Sequence, residues 1–432
     1  MEIKIEGILT GKIYNRYELT NGSENFSFYY SEELNIGQQG SFTLIKDVKG
    51  YKCTEYNEKQ VFEQLYLKLF QSLNSKNKEW LIKNDVAKRL NEHGILIIKH
   101  LIVSQKLGRK IIVRFHNDAD GIAGGMAIQK LLGNILNYQN KGPIYSPDFA
   151  ISDLSLLNNS FKPMVLLIDF GSTTESEEGL KLLKAAGIEV IIIDHHPYDK
   201  IPEIDHYLSP WMYNGDSYYP AGYIVCELAS QFIENDKDAQ LLDRLKRISL
   251  AGDKSKYYTP SEDEKKTAII LDYIATYSRF PNTLKFYDTV FEDENIMHSI
   301  GLTAEEKIED IKQTAKHYIK EKDAGNIKIV LLQIDKLVNK HGFPSKSKAT
   351  GAVFEMYDQC VLIAHGKKLI TLRITPSLNI SAREIIKTMK EKFPQGIISG
   401  GGHDVAASMR CDPDMTKIIV NEIIDYVKLA QQ

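Results

Sequence analysis

The sequence predicts an α/β protein built around a doubly wound parallel sheet, with a small β-rich module before it and a smaller α/β domain after it. Three observations predict this. Short apolar runs of buried-strand type, IIVRF (111–115), MVLLI (164–168) and VIII (190–193), alternate with helical stretches, the pattern of βαβ units. Ahead of them, segments of alternating polar and apolar residues are punctuated by glycine turns, which marks short antiparallel strands. From residue 326 onward a second series of strand-like runs begins. At 432 residues the chain also exceeds what one hydrophobic core organises.

The β-rich module takes residues 1–58. EIKIEGIL, NFSFYY and GSFTLIKDV are separated by Asn-Gly and Gly-Gln-Gln-Gly turns and suit a small barrel of OB-like type. The aromatic NFSFYY serves either to stack bases or to fill the barrel core. Residues 59–108 form a helical connector, because VFEQLYLKLFQSL and EWLIKNDVAKRLNEHGILIIKHLIVSQ place apolar residues three and four apart. The doubly wound domain spans 109–260, with helices in IAGGMAIQKLLGNIL and ESEEGLKLLKAAG. Residues 261–325 read as a charged helical linker, including TAEEKIEDIKQTAKHYIKEK. The last domain, 326–432, carries IKIVLLQID, CVLIAHG, KLITLRIT, a helix from Ala382 to Lys392, and ISGGGHDVAASMR.

Bulk properties exclude several classes. A net charge of −3 provides no overall basic footprint, so contact with nucleic acid requires a local patch. Cys53, Cys226, Cys360 and Cys411 lie far apart with no CxxC pair. That argues against a disulfide framework or a cysteine zinc site and favours a reducing cytoplasm. The opening MEIKIEGILTGKIYNRYE is charged and alternating, unlike a signal peptide, and no apolar run reaches membrane-spanning length.

Four clusters carry the chemistry: His116-Asn-Asp118-Ala-Asp120-Gly121, then Asp169, then Asp194-His195-His196, and finally Asp253 in SLAGDKS. Singly each is weak, since an Asp after a strand commonly caps the next helix. Together they are specific. The first three follow predicted parallel strands, and ligand sites in such sheets lie at strand carboxyl ends. Converging carboxylates repel unless cations neutralise them, and a mixture of Asp and His suits two hard or borderline divalent ions. His93, His100, His206, His298, His317, His341 and His365 lack partners at ligand spacing and are expected to be structural. His341, in NKHGFPSK, is the one that merits a check.

The order HxDxDG, a strand-ending Asp, DHH and a later Asp resembles the DHH phosphoesterase superfamily. Ser399-Gly400-Gly401-Gly402-His403 is similar to the GGGH signature of its DHH-associated domain. The combination resembles RecJ-like single-strand exonucleases. KNDVAKRLNEHG and GFPSKSKATGAVFE point to the archaeal group that includes the GINS-associated nuclease. The likeness covers roughly residues 85–260 and 326–415. It implies that His116 and Asp118 hold one metal and Asp120 the other, with Asp169 bridging and His195 and Asp253 completing the second. His196 would face the scissile phosphate while Asp194 orients a neighbouring imidazole. Gly400, Gly401 and Gly402 would offer amides as an anion nest beside His403, with Arg373 and Arg383 as phosphate contacts.

The implied activity is two-metal hydrolysis of single-stranded DNA or RNA in replication or repair, with Mn²⁺ preferred and Mg²⁺ the alternative. The implied protein partner is the GINS complex. A hydrolase of short oligonucleotides or cyclic dinucleotides is the competing enzyme reading. Manganese pyrophosphatases space their first motif as HxxxDxD, which this chain does not. A non-catalytic replisome scaffold is the reading from another class, and the complete ligand set argues against it.

Overall fold

The architecture was obtained as a computed structural model, which describes residues 2–198, 200–278, 283–325, 327–338 and 342–430, excepting the side chains of residues 324 and 403. Strands β1 (Glu2–Ile13), β2 (Arg16–Thr20), β3 (Asn25–Tyr29), β4 (Gln39–Asp47) and β5 (Gly50–Glu58) close a barrel in the order β1-β2-β3-β5-β4. Only β3 and β5 pair in parallel; this is the OB order. Phe28, Phe42 and Leu44 fill its centre. Within NFSFYY, Phe28 therefore belongs to the core, whereas Phe26, Tyr29 and Tyr30 remain half-buried.

Helix α1 (Phe62–Ser72) and the long α2 (Asp85–Lys106) follow. Ile8 of the barrel buries against Phe62, Val103 and Leu107. The Thr20 hydroxyl donates to the Lys106 carbonyl at 3.1 Å. The helical region thus carries the barrel on an apolar contact, as its three- and four-residue spacing requires.

The doubly wound part runs β6 (Ile111–His116), α3 (Ala119–Leu132), β7 (Leu136–Asn140), α4 (Pro147–Leu157), β8 (Met164–Ile168), α5 (Glu177–Ala185), β9 (Glu189–Ile193) and β10 (His206–Leu208). Every pairing is parallel, in the order β10-β9-β8-β6-β7. All five residues of β8 are buried, which explains a continuous apolar run instead of an alternating one. The chain goes out from β6 to β7 and then returns past β6 to β8. The switch point therefore lies between β6 and β8, where open α/β sheets form their ligand crevice. Helices α6 (Ala221–Ser230) and α7 (Asp236–Gly252) complete this part.

Then come α8 (Glu262–Tyr277), α9 (Leu284–Glu292), α10 (Glu294–Ala315), β11 (Ile319–Ala324), β12 (Ile327–Gln333), α11 (Ile334–Leu337) and α12 (Lys346–Phe354). The chain ends with β13 (Cys360–His365), β14 (Leu369–Ile374), α13 (Ala382–Lys392), β15 (Ile397–His403), β16 (Ala406–Cys411) and α14 (Thr416–Leu429). The six strands form one mixed sheet in the order β11-β12-β13-β14-β16-β15. Ala382, Ile385, Ile386 and Met389 make one buried face of α13, the three-to-four spacing of an amphipathic helix.

One expectation fails here. The stretch TAEEKIEDIKQTAKHYIKEK reads as helix throughout, yet α10 stops at Ala315 and residues 319–324 pair antiparallel with β12. Glu321 joins Lys328 at 2.8 Å and accepts from the Tyr357 hydroxyl. Pairing at a sheet edge overrides a weak local preference, and the charges suit an edge strand.

Two compact units emerge: residues 1–268 with 279–289, and residues 269–278 with 290–432. No helix among the described residues is long and apolar enough to cross a membrane.

Glycine spacing sets how closely α6 approaches α3. A Cβ on Gly222 would stand 2.2 Å from the Asp120 carbonyl oxygen. Gly222→Ala is expected to destabilise the first unit by about 1–3 kcal/mol. Thermal melting checks this, and an unchanged transition would show that the contact relaxes freely.

Candidate metal centre

Strands β6, β8 and β9 lie side by side, and each delivers polar residues at its carboxyl end. Asp118 caps α3 by accepting from the Gly121 N–H at 3.0 Å, while its second oxygen takes His116 Nδ1 at 2.7 Å. Position 121 needs glycine, because a Cβ there would meet the His116 carbonyl at 2.3 Å. Asp120, the second residue of α3, is fully buried. Its Oδ1 accepts from the Gly222 N–H at 2.9 Å and from the Ser249 hydroxyl.

Asp169 adopts a left-handed backbone with φ of 65°, a conformation that costs energy in any residue but glycine. Its N–H donates to Ile193 of the neighbouring strand at 2.9 Å, and the turn aims its carboxylate into the crevice. Asp253 follows the last turn of α7 as its C-cap.

The Asp194-His195-His196 triplet divides its contacts. Asp194 is fully buried. It accepts from the backbone N–H groups of His195 (2.7 Å), His196 (3.1 Å) and Ser172 (3.2 Å), and from His196 Nδ1 at 2.8 Å. His195 instead directs Nδ1 to the Ser217 carbonyl at 2.8 Å. A carbonyl only accepts, so Nδ1 carries the proton and Nε2 faces the acids. Nε2 lies 3.1 Å from Asp169 Oδ1, 3.1 Å from Asp253 Oδ2 and 4.0 Å from Asp120 Oδ2.

Three groups of potential ligands result, each with donor atoms within 4.8 Å of one another: His116, Asp118 and Asp169; Asp120, His195 and Asp253; Asp169, His195 and His196. Asp120 Oδ2 and Asp169 Oδ1 are buried and make no hydrogen bond of acceptable geometry. Burial raises the Asp120 carboxyl well above its ordinary value, and Asp169 and Asp253 push it further. Burial favours neutral rings at His116 and His195, yet the surrounding carboxylates outweigh it and raise both. Such a cluster is short of positive charge. Orphaned buried oxygens beside imidazole nitrogens form a donor set that fits divalent cations.

Sequence reasoning missed the residues that hold this set in place: Ser217, Ser249, Ser172, Gly222, and Trp211, whose Nε1 donates to the His195 carbonyl at 2.9 Å. Several act through backbone atoms, which leave no signature in residue type.

In the second unit, Arg373 on β14 donates to the Leu372 carbonyl at 3.1 Å and the Ser347 hydroxyl at 2.8 Å. Burial lowers its pKa to about 10, so it keeps its charge at neutral pH, and no carboxylate among the described residues pairs with it. Arg383 is the second residue of α13, behind the Ser381 cap. Gly400, Gly401 and Gly402 correct the expected nest. They lie within β15, the edge strand, opposite Met409, Ser408 and Ala407. An edge strand turns only alternate backbone groups outward, which is an extended edge instead of a concave nest. Gly402 has φ of 139°, and a Cβ there would stand 2.5 Å from the Ala406 carbonyl. His403 ends the strand, and its side chain lies outside the described part, as does His341 altogether.

Asp194 makes pH a test of this geometry. Burial opposes its charge, but His196 and the other donors outweigh that and hold its carboxyl well below the ordinary range. The stabilisation is therefore present above the unfolded value of about 4 and lost as pH falls through the folded value. In chelator, Asp194→Asn should melt below the wild type at neutral pH, with the gap closing below about pH 4. A gap independent of pH would refute the assignment.

Residues 110–276 match the N-terminal domain of the DHH family. Uncharacterized protein MJ1198 of Methanocaldococcus jannaschii is 25% identical over 82% of this chain, which spans 56% of that relative's length. A solved structure described as the DHH domain of PF0399, a member of the s1p family of ribosomal proteins, superposes with a TM-score of 0.75. It is 22% identical, covering 85% of this chain and 98% of that one. RecJ from Thermus thermophilus in complex with Mn²⁺ gives 0.51 at 14% identity, covering 82% of this chain and 56% of its own. Residues 110–276 are thus recognised as a DHH-family N-terminal domain, and the chain shares its fold with these DHH-domain and RecJ structures.

Proposed function

We propose that this protein is a divalent-cation-dependent phosphodiesterase that digests single-stranded DNA or RNA from an end, releasing mononucleotides in replication or repair. The observation that carries the reading is the convergence of His116, Asp118, Asp120, Asp169, His195 and Asp253 beside the β6–β8 switch point, with buried carboxylate oxygens left unsatisfied. His116 and Asp118 would hold one cation, Asp120, His195 and Asp253 the other, and Asp169 both. Two bound cations supply Lewis-acid activation of water and neutralisation of phosphoryl charge. Imidazole among the ligands favours Mn²⁺ over Mg²⁺.

The chain's own residues supply orientation and the proton. Asp194 holds His196 at Nδ1 and so makes Nε2 the atom that donates to the phosphoryl or leaving oxygen. Burial opposes a charged ring at His196, but Asp194 outweighs it and raises the imidazole above its ordinary value, as a proton donor near neutral pH requires. The Ser217 carbonyl keeps Nε2 of His195 as an acceptor for metal. In the second unit, Arg373, Arg383, the open backbone edge of Gly400, Gly401 and Gly402, and His403 are the proposed contacts for a phosphate or terminal nucleotide. Arg373 suits this because its half-buried charge has no carboxylate partner among the described residues.

The barrel supports a polymeric substrate. OB folds bind strands on the β2–β3 face and the loops joining β1 to β2 and β4 to β5. Here those elements carry Tyr14, 94% exposed, and Arg16, whose guanidinium lies 4.5 Å over the Tyr29 ring. Arg16 also donates to the Lys49 carbonyl in the β4–β5 loop at 2.6 Å. Stacking rings next to cations suit a single strand.

End-labelled single-stranded DNA, RNA and dinucleotides incubated with Mn²⁺ test the reading. Release of mononucleotides from the polymers is the expected result. Cleavage of dinucleotides alone would favour the short-substrate reading, and no turnover of any would overturn both. Asp169→Ala should lose more than about 100-fold in activity, beyond what removing an outer partner of a ligand costs; near-normal cleavage would refute the bridging role. Arg373→Ala should raise KM about tenfold or more, the loss of a charged hydrogen bond, with kcat little changed. Capture of GINS subunits by the full chain tests the partner the resemblance implies.

A further inference from the structure

The amino ends of the same strands hold a second cluster that the hydrolytic reading does not use. Glu189 opens β9, His206 opens β10 and His100 projects from α2. Nε2 of His100 lies 2.6 Å from Glu189 Oε1, and Nε2 of His206 lies 3.1 Å from that same oxygen. The three side chains are 12%, 36% and 21% exposed for His100, His206 and Glu189. They line an open cavity of about 550 Å³, so a small ion reaches them from solvent.

We propose that His100, Glu189 and His206 form a binding site for one zinc-class transition-metal ion, separate from the carboxyl-end cluster. Their donor atoms lie within 4.8 Å of one another, and two imidazoles with one carboxylate form a known three-ligand zinc set with an open fourth position. Bonds of about 2.0–2.1 Å in a tetrahedral site require donors about 3.3 Å apart. The 3.1 Å His206 contact nearly meets this, and the 2.6 Å His100 contact meets it after a shift of about 0.7 Å.

The outer partners are those a metal site uses. Nδ1 of His100 meets the Tyr66 hydroxyl at 2.7 Å. Glu189 Oε2 accepts from Arg109, which leaves Oε1 for the ion. Arg109 is itself anchored to the Lys162 carbonyl at 2.6 Å. Such contacts orient ligands and set the tautomer. Lys162, also on the cavity wall, is paired with Glu63 at 3.2 Å, which limits its repulsion of a cation. The ion would tie the long α2 to the short edge strand β10, so its role is to fix the helical region to the sheet. This inference does not depend on the proposed hydrolysis.

Zinc titration of the chelator-stripped full chain, with bound metal counted by elemental analysis, is the test. Asp169→Asn disables the other cluster and provides the background. In it, adding His206→Gln, which keeps a polar side chain near Glu189, should remove one equivalent of zinc. Zn²⁺ should also raise the melting temperature of the Asp169→Asn chain more than that of the double variant. Equal zinc counts in the two chains would overturn the proposal. So would stabilisation by inorganic phosphate but not by Zn²⁺, which would mark the cavity as an anion pocket.

Discussion

The carboxylates of Asp118, Asp120, Asp169 and Asp253 repel one another, and much of the surrounding chain acts to hold them together. Asp120 and Asp169 are almost wholly buried, where water does little to screen that repulsion. The backbone resists it by covalent and hydrogen-bonded constraint. Asp169 is held left-handed and tied to β9, Asp118 is fixed by its capping bond to α3, and Asp120 is clamped by Gly222 and Ser249. Close approach of α6 to α3 is part of the same constraint, since the amide that clamps Asp120 belongs to a glycine with no room for a side chain.

Two adjacent histidines with one sequence signature are made chemically different by what meets Nδ1. A carbonyl behind His195 fixes its proton at Nδ1 and turns the opposite nitrogen, an acceptor, towards the acids. A carboxylate behind His196 favours the charged ring and makes the opposite nitrogen a donor. The hydrolysis proposed above would use both, because charge neutralisation and leaving-group protonation are separate tasks. Asp194 contributes through both oxygens: Oδ1 fixes the backbone of the triplet, and Oδ2 accepts from the Ser172 N–H.

The parallel sheet separates its polar groups by strand direction. Its carboxyl ends gather the acidic cluster, while its amino ends gather Glu189, His206, Arg109 and, from α2, His100. Between the two ends β8 and β9 are almost entirely apolar. A low-dielectric layer thus lies between two charged regions.

The sequence by itself determined the elements and the location of the acidic cluster. β6, β8 and β9 were legible because strands buried on both faces must be continuously apolar, and the polar residues directly after them could only fall at the carboxyl ends. The Ala382–Lys392 helix was legible from its spacing. Where pattern was weak, it misled: residues 319–324 are strand because a sheet edge was available, and the glycine run is extended because β16 pairs with it. Tertiary structure alone decided the tautomer of His195, through a backbone carbonyl of Ser217, and the clamping of Asp120 by residues far along the chain. It also decided that His100 and His206, which lack neighbours at ligand spacing, meet at Glu189. Residue type and spacing report which atoms a segment offers; which of them meet depends on how the strands and helices are stacked.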